Sequence, residues 1–260
     1  MGYDHPREVR ALIRRGELLR PTCGLVPGYT QANLVVLPKE FAFDFLLFCQ
    51  RNPKPCPVLE VLEPGSYQPV LTAPTADIRV DVALYRIYRD GKLISEERDI
   101  TKYWNREMVS FLLGCSFTFE TALIRAGISL RHIDEGKNVS MYVTNIQTTP
   151  AGMFFGPLVV SMRPIPLAKV VRSVQITSRF PMVHGAPVHI GDPERIGIAD
   201  LARPDYGDPV EVKDDESPVF WACGVTPQAV ALKSKPRLMI THSPGHMFIT
   251  DLLDEDLSVL

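Results

Sequence analysis

The sequence predicts an α/β protein with a mixed or parallel sheet core, and three observations carry that prediction. Residues 158–163 are mostly apolar, which is typical of a strand that is buried on both faces. The apolar residues of 167–174 then fall at helical spacing. Two later strand patterns, 219–222 and 236–241, each lead into a turn with glycine or proline, and open α/β sheets bind ligands at such strand ends.

Residues 1–75 begin the main domain, which we expect to continue in 148–260. Pro6 suits the first turn of a helix. A second helix is expected to end at Asn52, because the residue before a proline avoids helical geometry. The patterns predict helices at 6–18 and 38–51, an irregular stretch at 21–36, a strand at 58–62 and a peripheral acidic tail after residue 250.

Residues 76–147 are predicted to form a smaller inserted α+β domain. Alternating side chains over 80–88 indicate a strand, and Asp90-Gly91 is a turn signal that leads into a returning strand. Gly127 is a typical residue for ending a helix. The predicted order is strands at 80–88 and 93–96, helices at 104–113 and 116–126, and a strand at 139–146.

Charge and composition exclude several classes of function. The chain has 260 residues with 28 basic and 30 acidic side chains, so we expect no binding to nucleic acid or to a membrane surface. The most apolar stretch, 41–49, is too short to span a bilayer, and the first residues lack a signal-peptide core. Five scattered cysteines without a CxxC pair predict no disulfide framework. We expect a cytoplasmic protein, with homo-oligomer formation left open.

The most informative stretch is 174–193, where glycines and prolines are interspersed with ionisable side chains. Proline fixes φ and glycine opens the left-handed region, so we expect a shaped loop. Such loops often carry chemistry, although an ordinary connection with buried histidines explains the pattern equally well. The candidates here are Arg179, His184, His189 and Asp192.

Two cysteines come directly before predicted helix starts. Free N–H groups at a helix start bind anions, and the helix dipole lowers the pKa of a nearby thiol. Cys223, followed by Gly224 and Thr226, is therefore a candidate nucleophile or substrate contact, and Cys115 is a second. The alternative is that each cysteine is a small buried hydrophobic residue.

The C-terminal histidines could serve acid–base chemistry or a metal. His242 and His246 are four residues apart, but Pro244 and Gly245 argue against the helix that would align them for zinc. We expect acid–base use without a metal or cofactor, since histidine titrates nearest to neutral pH. A metal site built from both histidine pairs and Asp192 is the alternative.

Arginine and asparagine side chains are candidates for binding a carboxylate. Arg163 ends an otherwise uncharged strand and would be costly to bury without an anion. A guanidinium group binds a carboxylate through two parallel hydrogen bonds, as an amino-acid substrate would require. An ion pair with Asp192 or another acid is the alternative. Asn145, at a strand end, is placed to help hold the same carboxylate.

Long uninterrupted runs over nearly the whole chain closely resemble the D-glutamate cyclase family. They are Gln31-Ala32-Asn33-Leu34, 52–57, 114–117, Arg131-His132 with Asn138, 156–164, 174–193, 218–228 and 238–246. The resemblance implies a cytoplasmic hydro-lyase of amino-acid metabolism. Its reaction would be the dehydration of D-glutamate to 5-oxo-D-proline, or of a related small amino or carboxylic acid. The resemblance assigns no role to individual residues.

Three functions stay open at this point. In the first, an arginine binds the substrate carboxylate, the helix start at 224–226 stabilises an oxyanion, and a histidine transfers protons. In the second, Cys223 opens a lactam or amide as a nucleophile. In the third, the protein binds a small carboxylate without catalysis. We expect the candidate side chains to meet around one pocket.

Overall fold

Two antiparallel sheets with helices around them form the framework of residues 3–259, the part of the chain that the computed structural model describes. The strands are β1 Tyr29–Pro38, β2 Val58–Val61, β3 Tyr85–Arg89, β4 Lys92–Glu97, β5 Met108–Gly114, β6 Ser140–Gln147, β7 Pro157–Pro166, β8 His189–Ile190, β9 Glu216–Ala222, β10 Met239–His242 and β11 Phe248–Leu253. The helices are α1 Pro6–Arg14, α2 Lys39–Arg51, α3 Phe117–Arg125, α4 Arg131–Asp134, α5 Val170–Thr177 and α6 Thr226–Ser234. The predicted α/β class is confirmed.

The strands pair in two groups. The larger sheet has the order β2-β5-β1-β10-β3-β4, with β11 also paired to β1, and the smaller sheet has the order β6-β7-β9-β8. Within residues 3–259 all pairings between these strands are antiparallel, whereas a parallel arrangement was one of the two expected. The reason is visible at α6, which follows β9 of the smaller sheet. The next strand, β10, joins the larger sheet, so no parallel crossover is formed.

Strand β1 is the centre of the larger sheet, although 21–36 is predicted to be irregular. It pairs with β5, β10 and β11, and its residues from Thr30 to Pro38 are all buried. Its polar side chains Gln31 and Asn33 are satisfied by hydrogen bonds, Gln31 to Thr22 and Asn33 to the Gly114 carbonyl. In a strand that is buried on both faces, polar and apolar residues do not alternate, so the sequence pattern does not reveal the strand.

The segment 76–147 contributes strands to both sheets. Strands β3, β4 and β5 belong to the larger sheet and β6 to the smaller one. Ile78, Ile87 and Leu112 share one hydrophobic cluster with β1 and β10, so this segment differs from the separate inserted domain that we expect. The predicted helix at 104–113 is wrong. Strand β5 lies there, with all seven residues buried between β1 and β2.

Helix α3 lies where the two sheets approach each other. The predictions of helices α1, α2 and α3 are confirmed within a few residues of their bounds. Phe119 and Leu123 of α3 share a hydrophobic cluster with Trp221 of β9, and the helix follows directly from β5 of the larger sheet. A Cβ on Gly114 would lie 2.0 Å from the Met182 carbonyl oxygen, so the segment after α5 packs against the end of β5. Four of the candidate residues lie at this junction: Cys115, Arg163, His184 and Cys223.

The acidic tail is not peripheral, contrary to our expectation. Strand β11 pairs with β1, and a short 3₁₀ helix, Asp254–Leu257, follows it. The Asp254 side chain is only 8% exposed. Within the described residues, no helix is long and apolar enough to cross a membrane.

Candidate functional site

Arg163 is the centre of a buried polar cluster, the Arg163 cluster, formed by Ser116, Glu120, His132, Ser161 and Arg163. The Arg163 side chain on β7 is fully buried. Its Nε donates to Glu120 Oε1 at 2.9 Å, while Nη1 and Nη2 donate to the hydroxyl groups of Ser161 and Ser116, each at 3.0 Å. Residues two apart on a strand share a face, which explains why Ser161 supports Arg163. The ion-pair alternative is therefore what the structure contains, with Glu120 as the acid and not Asp192.

Glu120 is ionised within this cluster. Burial opposes its ionisation, but the Arg163 guanidinium, which donates hydrogen bonds to the carboxylate, and the neighbouring His132 ring outweigh burial and lower the pKa of the carboxyl group. His132 Nε2 lies 3.1 Å from Glu120 Oε1, although the angles do not make a hydrogen bond. The second carboxylate oxygen, Oε2, has no hydrogen-bond partner within residues 3–259. A buried anionic oxygen without a partner is unusual and favours contact with a ligand or ordered water.

The cysteines at the two helix starts are neutral thiols. Cys115 and Cys223 pack in one hydrophobic cluster beside the Arg163 cluster, and all five cysteines are free. Burial raises the pKa of Cys223 to about 11 and raises that of Cys115 further. The expected lowering by the helix dipole is therefore wrong, because the loss of hydration on burial exceeds it. The buried-hydrophobe alternative describes both residues.

We expect Cys223 to react slowly with iodoacetamide in the folded protein. A pKa of about 11 leaves roughly one thiol in 10⁴ ionised at pH 7, and the thiolate is the reactive form. Mass spectrometry should show Cys223 unlabelled after a time that fully labels the urea-unfolded chain. The variant Cys223→Ser should keep turnover within about threefold, since it retains size and polarity. Fast labelling, or loss of turnover in a folded Cys223→Ser protein, would contradict the assignment.

Two predicted histidines are buried, His184 near Arg163 and His242 on β10. His184 has a left-handed φ of 84°, which is rare for a residue other than glycine and is often found at functional sites. Its Nδ1 lies 2.7 Å from the Lys54 carbonyl and must donate to it, so Nε2 carries a lone pair. The Nδ1 atom of His242 lies 3.1 Å from the Leu34 nitrogen and 3.3 Å from the Leu34 carbonyl oxygen, so its hydrogen bonding joins the ring to β1.

Both rings are neutral near pH 7. Burial lowers the pKa of each imidazole to about 4, and in neither ring does Nε2 have a hydrogen-bond partner within the described residues. They therefore hold no extra proton at neutral pH. His246 is half-buried, and burial also lowers its pKa.

Four other predicted residues lie elsewhere. His189 stacks on Phe220, whose side chain is on the face of β9 opposite to Trp221 and the Arg163 cluster. Its Nε2 contacts the Asp192 carbonyl at 2.6 Å, while the Asp192 carboxylate is exposed and caps the following 3₁₀ turn. Asn145 is exposed beside Gly197. Arg179 is exposed and lines a cavity beside α3 to which no residue of the Arg163 cluster contributes. The expected meeting of the candidates around one pocket is therefore wrong, and of the twelve only Arg179 lines either of the two cavities beside α3.

The predicted oxyanion donors at the start of α6 make structural contacts. The Thr226 hydroxyl donates to the Cys223 carbonyl at 2.7 Å and accepts from the Val159 N–H at 3.1 Å. A Cβ on Gly224 would lie 2.0 Å from the Asn33 side chain, which shows how closely β1 approaches this turn. Glycine is needed here for close packing.

A cavity beside Glu120, the inner cavity, is the enclosed space nearest to the Arg163 cluster. It has a volume of about 250 Å³, and its lining includes Gln31, Glu120, Thr121, Arg125 and Asp254. Loop 24–29 forms one wall and α3 the other. Two acidic residues and one arginine thus line a space of small-molecule size.

The Asp254 carboxyl group, which lines this cavity, has a strongly shifted pKa. Burial raises the pKa of its carboxyl group to about 7, against the opposing effects of the Thr121 and Thr30 hydroxyl groups and the Arg125 charge. A carboxyl group near pKa 7 can both accept and return a proton at neutral pH. The sequence reasoning missed Asp254. The one available signal was the apolar run before it, which would have placed the acid at a strand end.

A second cavity, the outer cavity, continues from the first. It has a volume of about 560 Å³ and shares Gly28, Thr121, Arg125 and Asp254 with the inner cavity. Arg172 and Arg179 line only the outer cavity. Within the described residues, no group of three or more histidine, cysteine, aspartate or glutamate side chains could hold a metal ion.

The fold and the site define an α/β protein with a cavity lined by two acidic residues and an arginine. A family model described as D-glutamate cyclase matches residues 109–251. The chain is 65% identical to a protein of Geobacillus kaustophilus over 98% of this chain and 97% of that one. It is 64% identical to one of Bacillus subtilis over 98% and 99%, and both carry the name "Putative hydro-lyase". The chain therefore belongs to the D-glutamate cyclase family, as the resemblance predicts.

Among solved structures, the nitrogen repressor-like protein MJ0159 of Methanococcus jannaschii matches with 9% identity and a TM-score of 0.37. The match covers 94% of this chain and 97% of that one.

Proposed function

We propose that this protein is a carbon–oxygen lyase that dehydrates D-glutamate to 5-oxo-D-proline in the inner cavity. The observation that carries the proposal is the convergence of Asp254, Glu120 and Arg125 on one space of about 250 Å³. An amino dicarboxylate offers one ammonium group and two carboxylates, which complement two acids and one guanidinium group. Family membership supports the same reaction, and we propose a cytoplasmic role in amino-acid metabolism without a cofactor.

The reaction requires two proton transfers from nitrogen to oxygen. The α-ammonium group loses one proton, and the free amine attacks the γ-carboxyl carbon to form a C–N bond. The tetrahedral intermediate then breaks a C–O bond, and the departing oxygen takes up two protons that nitrogen has lost. Because the amine and the carboxyl group belong to one molecule, their orientation in the cavity alone lowers the free-energy barrier by several kcal/mol.

Asp254 is the group that we assign to these transfers. Its pKa of about 7 lets the carboxylate accept a proton from the ammonium group and return it to the leaving oxygen. The ionised Glu120, whose Oε2 has no partner within residues 3–259, is assigned to binding the ammonium group. Arg125 is assigned to the α-carboxylate. The predicted roles of Arg163 in binding substrate and of Cys223 in attack are not part of this proposal, because Arg163 is engaged by Glu120 and the Cys223 thiol is neutral.

The direct test is incubation of the purified protein with D-glutamate and with L-glutamate. Chromatography should show 5-oxoproline accumulating from the D-enantiomer only. Thermal denaturation with each enantiomer measures binding separately, because a ligand that binds the folded state raises Tm. Stabilisation without product would support the non-catalytic alternative, and the absence of both product and stabilisation would exclude this substrate.

A further inference from the structure

The outer cavity carries a concentration of positive charge, of which the proposed reaction uses only Arg125. Arg125 comes from α3, Arg172 from α5 and Arg179 from the loop after α5, so three separate segments place a guanidinium group on one concave surface. All three side chains are exposed, and within residues 3–259 none of them forms an ion pair. Like charges at one surface repel each other unless an anion binds between them.

Two hydroxyl groups in the same lining also lack partners. Thr118 is 1% exposed, and its Oγ1 makes no hydrogen bond within the described residues. Ser258, also in the lining, likewise has an unpartnered Oγ. Both oxygen atoms are sealed from solvent and do not open into the cavity, so its positive charge comes from the three guanidinium groups alone.

We propose that the outer cavity is a binding site for a small dianion, of the dicarboxylate or phosphate type, separate from the inner cavity. Guanidinium groups bind both kinds of anion through paired hydrogen bonds. The lining acids are Asp254 and Glu255, so three cationic groups exceed the anionic ones, and a dianion is favoured over a zwitterion. The proposal does not depend on the reaction assigned to the inner cavity.

The test is calorimetric titration at low ionic strength with two probes, inorganic phosphate and glutarate. Glutarate has the two carboxylates of glutamate without its amine, so it cannot cyclise and reports binding alone. The double variant Arg172→Ala/Arg179→Ala should weaken binding by about 10-fold or more, as expected for lost hydrogen bonds to charged groups. Added salt should weaken binding in the unmodified protein, because screening acts on exposed charges.

The matched control is Arg195→Ala/Arg203→Ala, which removes two exposed arginines that lie outside both cavities. Binding of either dianion that is lost in the first double variant and kept in the control supports the site. Equal loss in both variants would show an effect of net charge and overturn it. Absence of binding by both probes, or unchanged binding in the first double variant, would also overturn it. Turnover of D-glutamate is measured separately, so a failure of one proposal leaves the other standing.

Discussion

The variant Asp254→Asn is expected to lower D-glutamate turnover by about 10²- to 10⁴-fold, the usual contribution of a general acid–base group. Asparagine keeps the shape of the side chain but cannot accept and return a proton. Turnover of the unmodified protein should rise with pH and level off above about 7, since the ionised carboxylate must accept the ammonium proton first. The measurement is kcat against pH for both proteins, with 5-oxoproline determined by chromatography.

The same substitution has an expected effect on stability, which tests the environment of Asp254 independently of activity. The folded state holds the Asp254 proton up to pH about 7, whereas the ordinary pKa of the group is 3.8. Raising the pH from about 4 to 7 therefore lowers the free energy of unfolding of the unmodified protein. The variant does not lose this stability, because asparagine stays neutral. At pH 8 the variant should be more stable by about 1–4 kcal/mol in urea denaturation, and the difference should vanish near pH 4.

The control is Asp256→Asn, an exposed acid two residues further along the chain. It should change neither the pH profile nor the stability by a measurable amount. Full activity of a folded Asp254→Asn protein would remove Asp254 from the reaction. An unchanged pH dependence of stability would show that its carboxyl group is not perturbed.

The parts of the fold that the sequence predicts are those with local signals. Helix α2 has an apolar face and ends before Pro53, and the hairpin of β3 and β4 turns at Asp90-Gly91. Strands β1 and β5 have no such signal, because both are buried on all sides and their partners lie far away in the chain. A uniformly apolar run fits a buried helix or a buried strand equally well.

The candidate site shows the same division between local and distant information. The cost of burying Arg163 is readable from its apolar strand, but its partner Glu120 is 43 residues away, and no spacing rule connects them. His189 is close to His184 in sequence but lies on the other face of the smaller sheet, because loop residues do not follow a fixed period. Asp254 becomes informative only when α3 and loop 24–29 enclose it.

The substitution Arg163→Leu is expected to destabilise the protein by about 3–5 kcal/mol, because it leaves the Glu120 carboxylate buried without a cation. The hydroxyl groups of Ser116 and Ser161 also lose a donor. Urea denaturation at pH 7 measures the loss, and the fluorescence of Trp221 is a local probe, since its ring lies 5.5 Å from the guanidinium carbon.

The pH dependence of stability and a second substitution show whether Arg163→Leu destabilises the protein by removing the ion pair or by disturbing the packing. The pKa of Glu120 is lowered in the folded protein, so the stability that its ionisation contributes is present above its ordinary pKa of 4.5 and is lost as the pH falls. The deficit of Arg163→Leu should therefore shrink below pH 4.5, where a protonated Glu120 no longer needs the cation. The double variant Glu120→Leu/Arg163→Leu should recover most of the loss at pH 7, because two apolar side chains replace the pair.

Arg195→Leu is the matched control, since that arginine is 78% exposed in its ion pair with Asp192 and should change stability by less than about 0.5 kcal/mol. If the double variant were as unstable as Arg163→Leu at every pH, the loss would come from packing in the space around Trp221. The Glu120–Arg163 pair would then stabilise the junction of the two sheets through the volume that it fills, and not through its charges.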